Sequence, residues 1–264
     1  MVVVEAQHEA DVIAQVRNLV KGETKLVCPT TDEFLIRFIK ASKYDVKASF
    51  TLVKDYYKAK IDLPDEFVTE AASSYVDIFS NLNIGFILPH VDLFGRTTLF
   101  LRLGYVDPGE LNWNHCIQAV ILVLEYLSYQ PEAQNTGINL IVDCTDLTIK
   151  IMKWATPHKL KTIVKILQEC VPVRFEVIHI INPPMVFNLF FAALRPFLAD
   201  SMNEKFKWHK APCTDLVDII CSESIPTWLG GTMGLDSIKH WYDDILKKEK
   251  LLKEDPSIGY RKSK

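Results

Sequence analysis

The stretch from Val173 to Leu198, VRFEVIHIINPPMVFNLFFAALRPFL, constrains the fold more than any other part of the chain, because its character changes at Asn182-Pro183-Pro184. Val177 to Ile181 is apolar on both alternating faces apart from His179, the pattern of a parallel strand covered on both sides. Beyond the prolines, Phe187, Phe190, Phe191, Leu194 and Leu198 fall at i, i+3, i+4, i+7 and i+11, with Val186, Leu189, Ala193 and Phe197 in the neighbouring stripe. That spacing predicts a helix over Met185 to Leu198 whose surface is interrupted only by Asn188 and Arg195. A membrane span needs roughly 20 residues, so this helix is too short to cross a bilayer. It is either a core helix packed on the sheet or a movable one, its inner face over an apolar cavity and its outer face toward a membrane.

With 264 residues, 48% hydrophobic and 24% charged, the chain can bury a full core as one large domain or two small ones. The start, MVVVEAQHEADV, has no basic n-region, and the apolar run Ala119 to Leu124, which none exceeds in length, stops at Glu125; neither secretion nor membrane insertion is expected. Six cysteines (28, 116, 144, 170, 213 and 221) are scattered without a C-x-x-C pair, as for reduced thiols in a cytoplasmic protein. The net charge of −3 divides into +4 for Lys247 to Lys264 and −7 for the rest. No field of that kind steers a body to nucleic acid, and the end of the basic tail is expected to lack fixed structure.

Residues 5 to 20 carry Val12, Ile13, Val16, Leu19 and Val20 at helical spacing. Thr30 followed by Glu33 reads as a capping box before FLIRFIKA, with Phe34, Leu35, Phe38 and Ile39 buried and Arg37 and Lys40 facing water. Asp45 caps a third helix, and a short fourth is expected after Pro64. From Gly85 the pattern turns to strands, with a turn at Asp92 to Arg96 before TTLFLRLGY. Asn112 to Tyr129 reads as a helix ended by Pro131, and Ile138 to Asp143 as a strand. Thr156-Pro157 opens a helix to about Cys170, so that strand, helix and strand make a right-handed crossover.

These segments resemble the CRAL-TRIO lipid-binding family. The likeness rests on DEFLIRFIKA at 32–41 with Tyr44-Asp45-Val46, on Glu132-x-Gln134-x-x-Gly137 before Asp143, on Ile178 to Asn182-x-Pro184, and on Ile225-Pro226-x-x-x-Gly230-Gly231. It is nearest the alpha-tocopherol transfer protein and cellular retinaldehyde-binding protein group. The resemblance implies an α/β fold in which an N-terminal helical lobe (1–78) precedes a mixed, mainly parallel sheet (79–234). Helices flank that sheet and enclose a hydrophobic cavity under a gate helix, and a C-terminal helix and basic tail (235–264) follow. It also implies a cytosolic carrier that takes a retinoid, carotenoid, tocopherol or similar lipid between membranes.

By matching segments, the ligand is expected against Val120, Leu124, Val142, Ile149, Ile163, Ile166, Leu167, Ile178 and Ile180, with Val186, Phe190 and Leu194 from the gate. Phe187, Phe191, Phe197 and Leu198 are assigned to the gate and its membrane contact. The family's phosphoinositide cleft maps onto Arg174, Glu176, Ser201 and Lys205, leaving Arg174 and Lys205 as possible contacts to an anionic headgroup. A carboxylate about 6 Å from a phosphate is repulsive by on the order of a kcal/mol, which counts against specific phosphoinositide binding. The partners expected are therefore a hydrophobic small molecule and a transient membrane surface, with a monomeric chain and no nucleic acid.

Two other readings use the same residues. A scaffold for protein partners would have its cavity collapsed, and an enzyme would draw on Cys144 and His179 with Asp143. Nucleotide, zinc and serine-hydrolase signatures are missing from the sequence. A buried cysteine is usually inert packing, and the seven histidines are unpaired at helical spacing. No catalytic residue, metal ligand or cofactor is therefore assigned.

Overall fold

The computed structural model describes residues 2–67, 70–75, 78–79, 82–210, 213, 216, 218–234, 240–252 and 257–261. The basic tail at 253–256 and 262–264, and the beginning of the C-terminal segment at 235–239, lie outside the described residues.

The first helix, α1 (Val2–Gly22), leads through a two-residue strand β1 (Leu26–Val27) into α2 (Asp32–Ala41) and α3 (Val46–Asp62). Val16, Leu35, Phe38, Val53 and Tyr56 interlock between these helices. The α2 cap is Thr31, one residue later than the sequence pattern placed it. Thr31 has the extended backbone of a cap, and its hydroxyl accepts from the Phe34 N–H at 3.3 Å. Asp45 caps α3 as expected, accepting from Ala48 N at 2.8 Å. The helix expected after Pro64 is instead a turn, followed by a 3-10 turn at Ala72–Tyr75.

The main sheet contains β2 (Gly85–Ile87), β3 (Thr97–Arg102), β4 (Ile138–Asp143), β5 (Phe175–Ile181) and β6 (Phe206–His209), in that spatial order. β2 runs antiparallel to β3, and the other pairings are parallel. Between the strands come α4 (Trp113–Ser128), α5 (Pro131–Thr136), α6 (Ile149–Trp154) and α7 (Pro157–Lys165), the last continuing into a π-helical turn at Ile166–Cys170. After β5 come α8 (Met185–Leu194), a 3-10 turn at Arg195–Phe197 and α9 (Asp200–Asn203). Alternation along each strand divides the apolar residues between two covered faces. Leu140, Val142, Ile178 and Ile180 turn toward α4 and α8, while Phe86, Phe100, Ile141 and Ile181 pack on Leu216, Ile220 and Ile225.

Gly137 joins α5 to β4 at φ 75°, and a Cβ there would stand 2.8 Å from the Arg174 carbonyl. Only glycine meets both demands. The chain closes with α10 (His240–Lys247), α11 (Glu249–Leu252) and β7 (Gly259–Tyr260), which pairs antiparallel with β1. The edge of β1 supplies backbone partners for residues 259–260, while the end of the tail, to which the expectation applied, lies outside the described residues.

Arg37 corrects another expectation. It does not face water: it is 1% exposed, and its Nη1 donates to Glu125 Oε2 and to Ser128 Oγ, each at 3.0 Å. Its guanidinium lies 4.0 Å from the Tyr129 ring centroid. Helix α4 covers this side of α2, and Glu125, the residue that interrupts the apolar run of α4, supplies the countercharge. Burial works against the charge on Arg37, but Glu125, Tyr129 and Tyr56 outweigh it and hold the pKa above the ordinary arginine value.

Candidate functional site

Between the α4–α8 face of the sheet and the helices lies a cavity of about 280 Å³. The sheet contributes Leu99, Leu101, Leu140, Val142, Ile178 and Ile180, and α4 contributes Trp113, Cys116, Ile117, Val120, Ile121 and Leu124. Ile151 and Trp154 of α6 and Leu160, Ile163, Ile166 and Leu167 of α7 and its π-turn complete the fixed walls. The cover is α8, through Phe187, Phe190, Phe191 and Leu194, continued by Leu198.

Local chemistry at both ends of α8 explains its position. Asn182 adopts a left-handed backbone, φ 49°, which asparagine tolerates better than most residues. Its N–H continues the β5–β6 ladder to the His209 carbonyl at 3.1 Å, while its side chain donates to Thr145 Oγ1 at 3.0 Å. The chain therefore turns off the strand within one residue, and Pro183-Pro184 lead into α8 with Phe187 N donating to the Pro184 carbonyl at 2.8 Å. At the far end, the Gln168 amide grips the 3-10 turn twice. Its Nε2 donates to Phe197 O at 3.1 Å, and its Oε1 accepts from Ala199 N at 2.9 Å. Gln168 sits on the π-turn that continues α7, a distortion often found at functional places.

The structure brings Val120, Leu124, Val142, Ile163, Ile166, Leu167, Ile178, Ile180, Phe190 and Leu194 together at the cavity wall. Ile149 stands apart: it is the first residue of α6 and is 59% exposed. Val186 is half-buried outside the wall. The faces of α8 are also divided differently from the expectation. Phe187 is buried, and with Phe191 and Leu198 it lines the cavity instead of an outer surface. Phe197 is half-buried at the turn held by Gln168. The outer surface is Met185, 88% exposed, and Leu189, 73% exposed, with Asn188, Ala192 and Ala193. The i, i+3, i+4, i+7 stripe is a single inner face, because the bulkiest rings leave water together.

Sequence reasoning missed the α4 entry wall, Trp113, Cys116 and Ile117, together with Leu99 and Leu101. The strand residues could have been found by applying to β3 the same alternation that located Ile178 and Ile180. Gln168 carried no signal, since its role depends on where the chain returns 29 residues later.

Neither basic residue assigned to a headgroup is uncommitted. Arg174 donates from Nε to the Glu176 carboxylate, from Nη1 to Lys40 O at 2.8 Å, and from Nη2 to Asn135 O at 3.1 Å. Lys205 donates to the Phe175 carbonyl, and burial, aided by Lys43 and Arg174, holds its pKa below the ordinary lysine value. The Cys144, His179 and Asp143 trio is not assembled. His179 Nδ1 pairs with His209 Nε2 at 2.9 Å on the sheet, while the Cys144 thiol donates to the Val142 carbonyl. Burial, with a contribution from Asp143, pushes the Cys144 thiol up to about 12, so it holds its proton at neutral pH and is no nucleophile there. Among the described residues no group of three or more His, Cys, Asp or Glu could hold a metal ion, and no helix is long and apolar enough to cross a membrane.

Comparison with known proteins places this geometry. A model of the CRAL/TRIO domain matches residues 83–231. The chain is 29% identical over 240 residues to the Mus musculus alpha-tocopherol transfer protein-like protein, covering 90% of this chain and 69% of that one. It is 28% identical over 241 residues to clavesin-1 of Rattus norvegicus, covering 89% and 67%. The crystal structure of Sfh5 superposes with a TM-score of 0.56 at 12% identity, over 94% of this chain and 98% of that one. That likeness speaks to the fold alone.

Proposed function

Because the chain belongs to the CRAL/TRIO domain family, we propose that it carries a small hydrophobic ligand in the cavity under α8 and passes it between membranes by movement of that helix. The observation that carries this reading is the construction of the cover. Four apolar residues of α8 face an apolar cavity, its far end is gripped by one amide side chain, and its outside exposes Met185 and Leu189. Lifting such a helix in water would hydrate three phenylalanines, at about 1.5–3 kcal/mol each. Against a bilayer that penalty disappears, so opening is coupled to membrane contact.

A relative named for alpha-tocopherol transfer supports a small hydrophobic ligand, the broad class to which retinoids and carotenoids also belong. In this reading the protein works without covalent chemistry, in the cytoplasm, as a monomer. The lobe of residues 1–78 braces the sheet domain of 79–234, and 235–264 closes back on the lobe. Arg174 and Lys205 act as structural clamps, so a phosphoinositide headgroup would have to displace their protein partners. An open cavity of about 280 Å³ favours a carrier over a scaffold with a collapsed interior.

The test is mass spectrometry of organic extracts from protein purified without detergent, alongside a Val120→Trp variant that fills the cavity. A hydrophobic molecule should be recovered from the natural chain and lost from the folded variant. Empty extracts, with transfer between vesicles identical in both proteins, would refute the reading.

A further inference from the structure

The cavity wall is unusual in what it withholds. Apart from Gln168 it is built of aliphatic, aromatic and sulfur-containing side chains, and almost none of its surface is polar, backbone included. Gln168 spends one N–H on Phe197 O and one lone pair on Ala199 N. Its remaining capacity and the indole N–H groups of Trp113 and Trp154 add almost no polar surface to the cavity. The Cys116 thiol is a weak donor, and burial pushes it up to about 12, so it brings no charge. The buried ionic and polar groups lie elsewhere, Arg37 and Glu125 against the helical lobe and His179 and His209 on the opposite face of the sheet.

We infer that whatever this cavity encloses is hydrocarbon along its whole buried length, and that the site rejects the alcohol and acid forms of the same skeleton. This rests on the carrier reading and narrows it to a substrate class. A hydroxyl resting at a bilayer surface is hydrated. Moved into this wall it meets almost no polar surface, and an ionised carboxylate fares far worse. A hydrocarbon gives up nothing on the same transfer, because its surroundings are apolar before and after. Selectivity here comes from the absence of partners, a repulsive device, and not from any added contact. Phe79, Phe175, Phe187, Phe190 and Phe206 line the wall and suit an unsaturated or branched chain equally.

The experiment offers the full chain phosphatidylcholine vesicles containing phytane, phytol or phytanic acid at equal mole fraction. Protein and vesicles are then separated, and the captured compound is quantified per protein by mass spectrometry. Phytane should be taken up about tenfold more than phytol, equivalent to about 1.4 kcal/mol, and about a hundredfold more than phytanic acid at neutral pH. Val142→Thr, which puts a hydroxyl into the wall at nearly constant volume, should raise phytol relative to phytane by several fold. Equal capture of phytane and phytol overturns the inference and leaves the carrier reading standing, as does a phytol share unmoved by Val142→Thr. Capture of none of the three removes the carrier reading itself and this inference with it.

Discussion

Gln168→Met is the substitution that most directly asks whether the far end of α8 moves. Methionine matches glutamine in length and tolerates the irregular surroundings of the π-turn, but it removes the donor to Phe197 O and the acceptor for Ala199 N together. Each such bond stabilises by about 0.5–1.5 kcal/mol net. Ala199 is exposed and Phe197 half-buried, so water can reach the freed backbone groups when the turn swings out, and the gain on opening approaches the sum for both bonds. A shift of about 1–3 kcal/mol in the closed-to-open equilibrium corresponds to roughly a 5- to 150-fold rise in the open population. The assay is the rate at which a fluorescent hydrophobic probe passes from donor to acceptor vesicles, with thermal melting followed in parallel. Faster transfer with a melting temperature within a few degrees of the natural chain is expected. Unchanged transfer in a fully folded variant would show that the Phe197–Ala199 turn stays in place during release, and the gate would have to be sought at its Asn182 end.

Three further outcomes follow from other parts of the fold. Arg37→Met leaves the Glu125 carboxylate buried without its partner and should cost about 3–5 kcal/mol in denaturant melts; the double change Arg37→Met with Glu125→Leu should recover most of that. Met185→Asp with Leu189→Asp changes only the outer face of α8 and should weaken vesicle association by at least about tenfold, at about 1.5–3 kcal/mol per apolar side chain withdrawn, while the melting temperature stays within a few degrees of the natural chain. The Cys116, Cys144 and Cys170 thiols are each pushed up to about 12 by burial, whereas in the unfolded chain they ionise near the ordinary value of about 8.5. The folded state therefore holds protons that the unfolded state has lost. Stability should fall as pH rises from about 8.5 toward 12, and a thiol reagent at pH 8 should reach the buried Cys144 and Cys170 only when the chain opens. Rapid reaction of both in the native protein would contradict their burial.

Most of the architecture was legible from local patterns, since each element of the sheet layer carries its own periodicity. VIHII is apolar on both faces because both faces are covered, and Thr156-Pro157 and Asp45 announce helix starts through backbone chemistry that acts within a few residues. The cap of α2 slipped by one residue because Thr30 and Thr31 offer the same hydroxyl, and only the backbone direction distinguishes them. The cavity was visible as a class of residues before it was visible as a place. Ten of the twelve residues expected at the ligand do line it, because alternation and helical spacing already separate inner from outer positions.

Other features had no counterpart along the chain. Arg37 reads as a solvent-facing residue on an amphipathic helix, and it is buried because α4, 88 residues away, brings Glu125 against it. The aromatic stripe of α8 could be drawn facing a membrane or facing the sheet; packing chose the sheet and left Met185 and Leu189 outside. Gln168 gained its two backbone partners only through the return of Phe197 and Ala199 to its side. What this sequence determined by itself is where chain segments turn, cap and alternate, which depends on neighbours within one or two helical turns. What the tertiary structure alone decided is which of two apolar faces is covered and which polar groups find distant partners, because both depend on contacts between elements that no periodicity encodes.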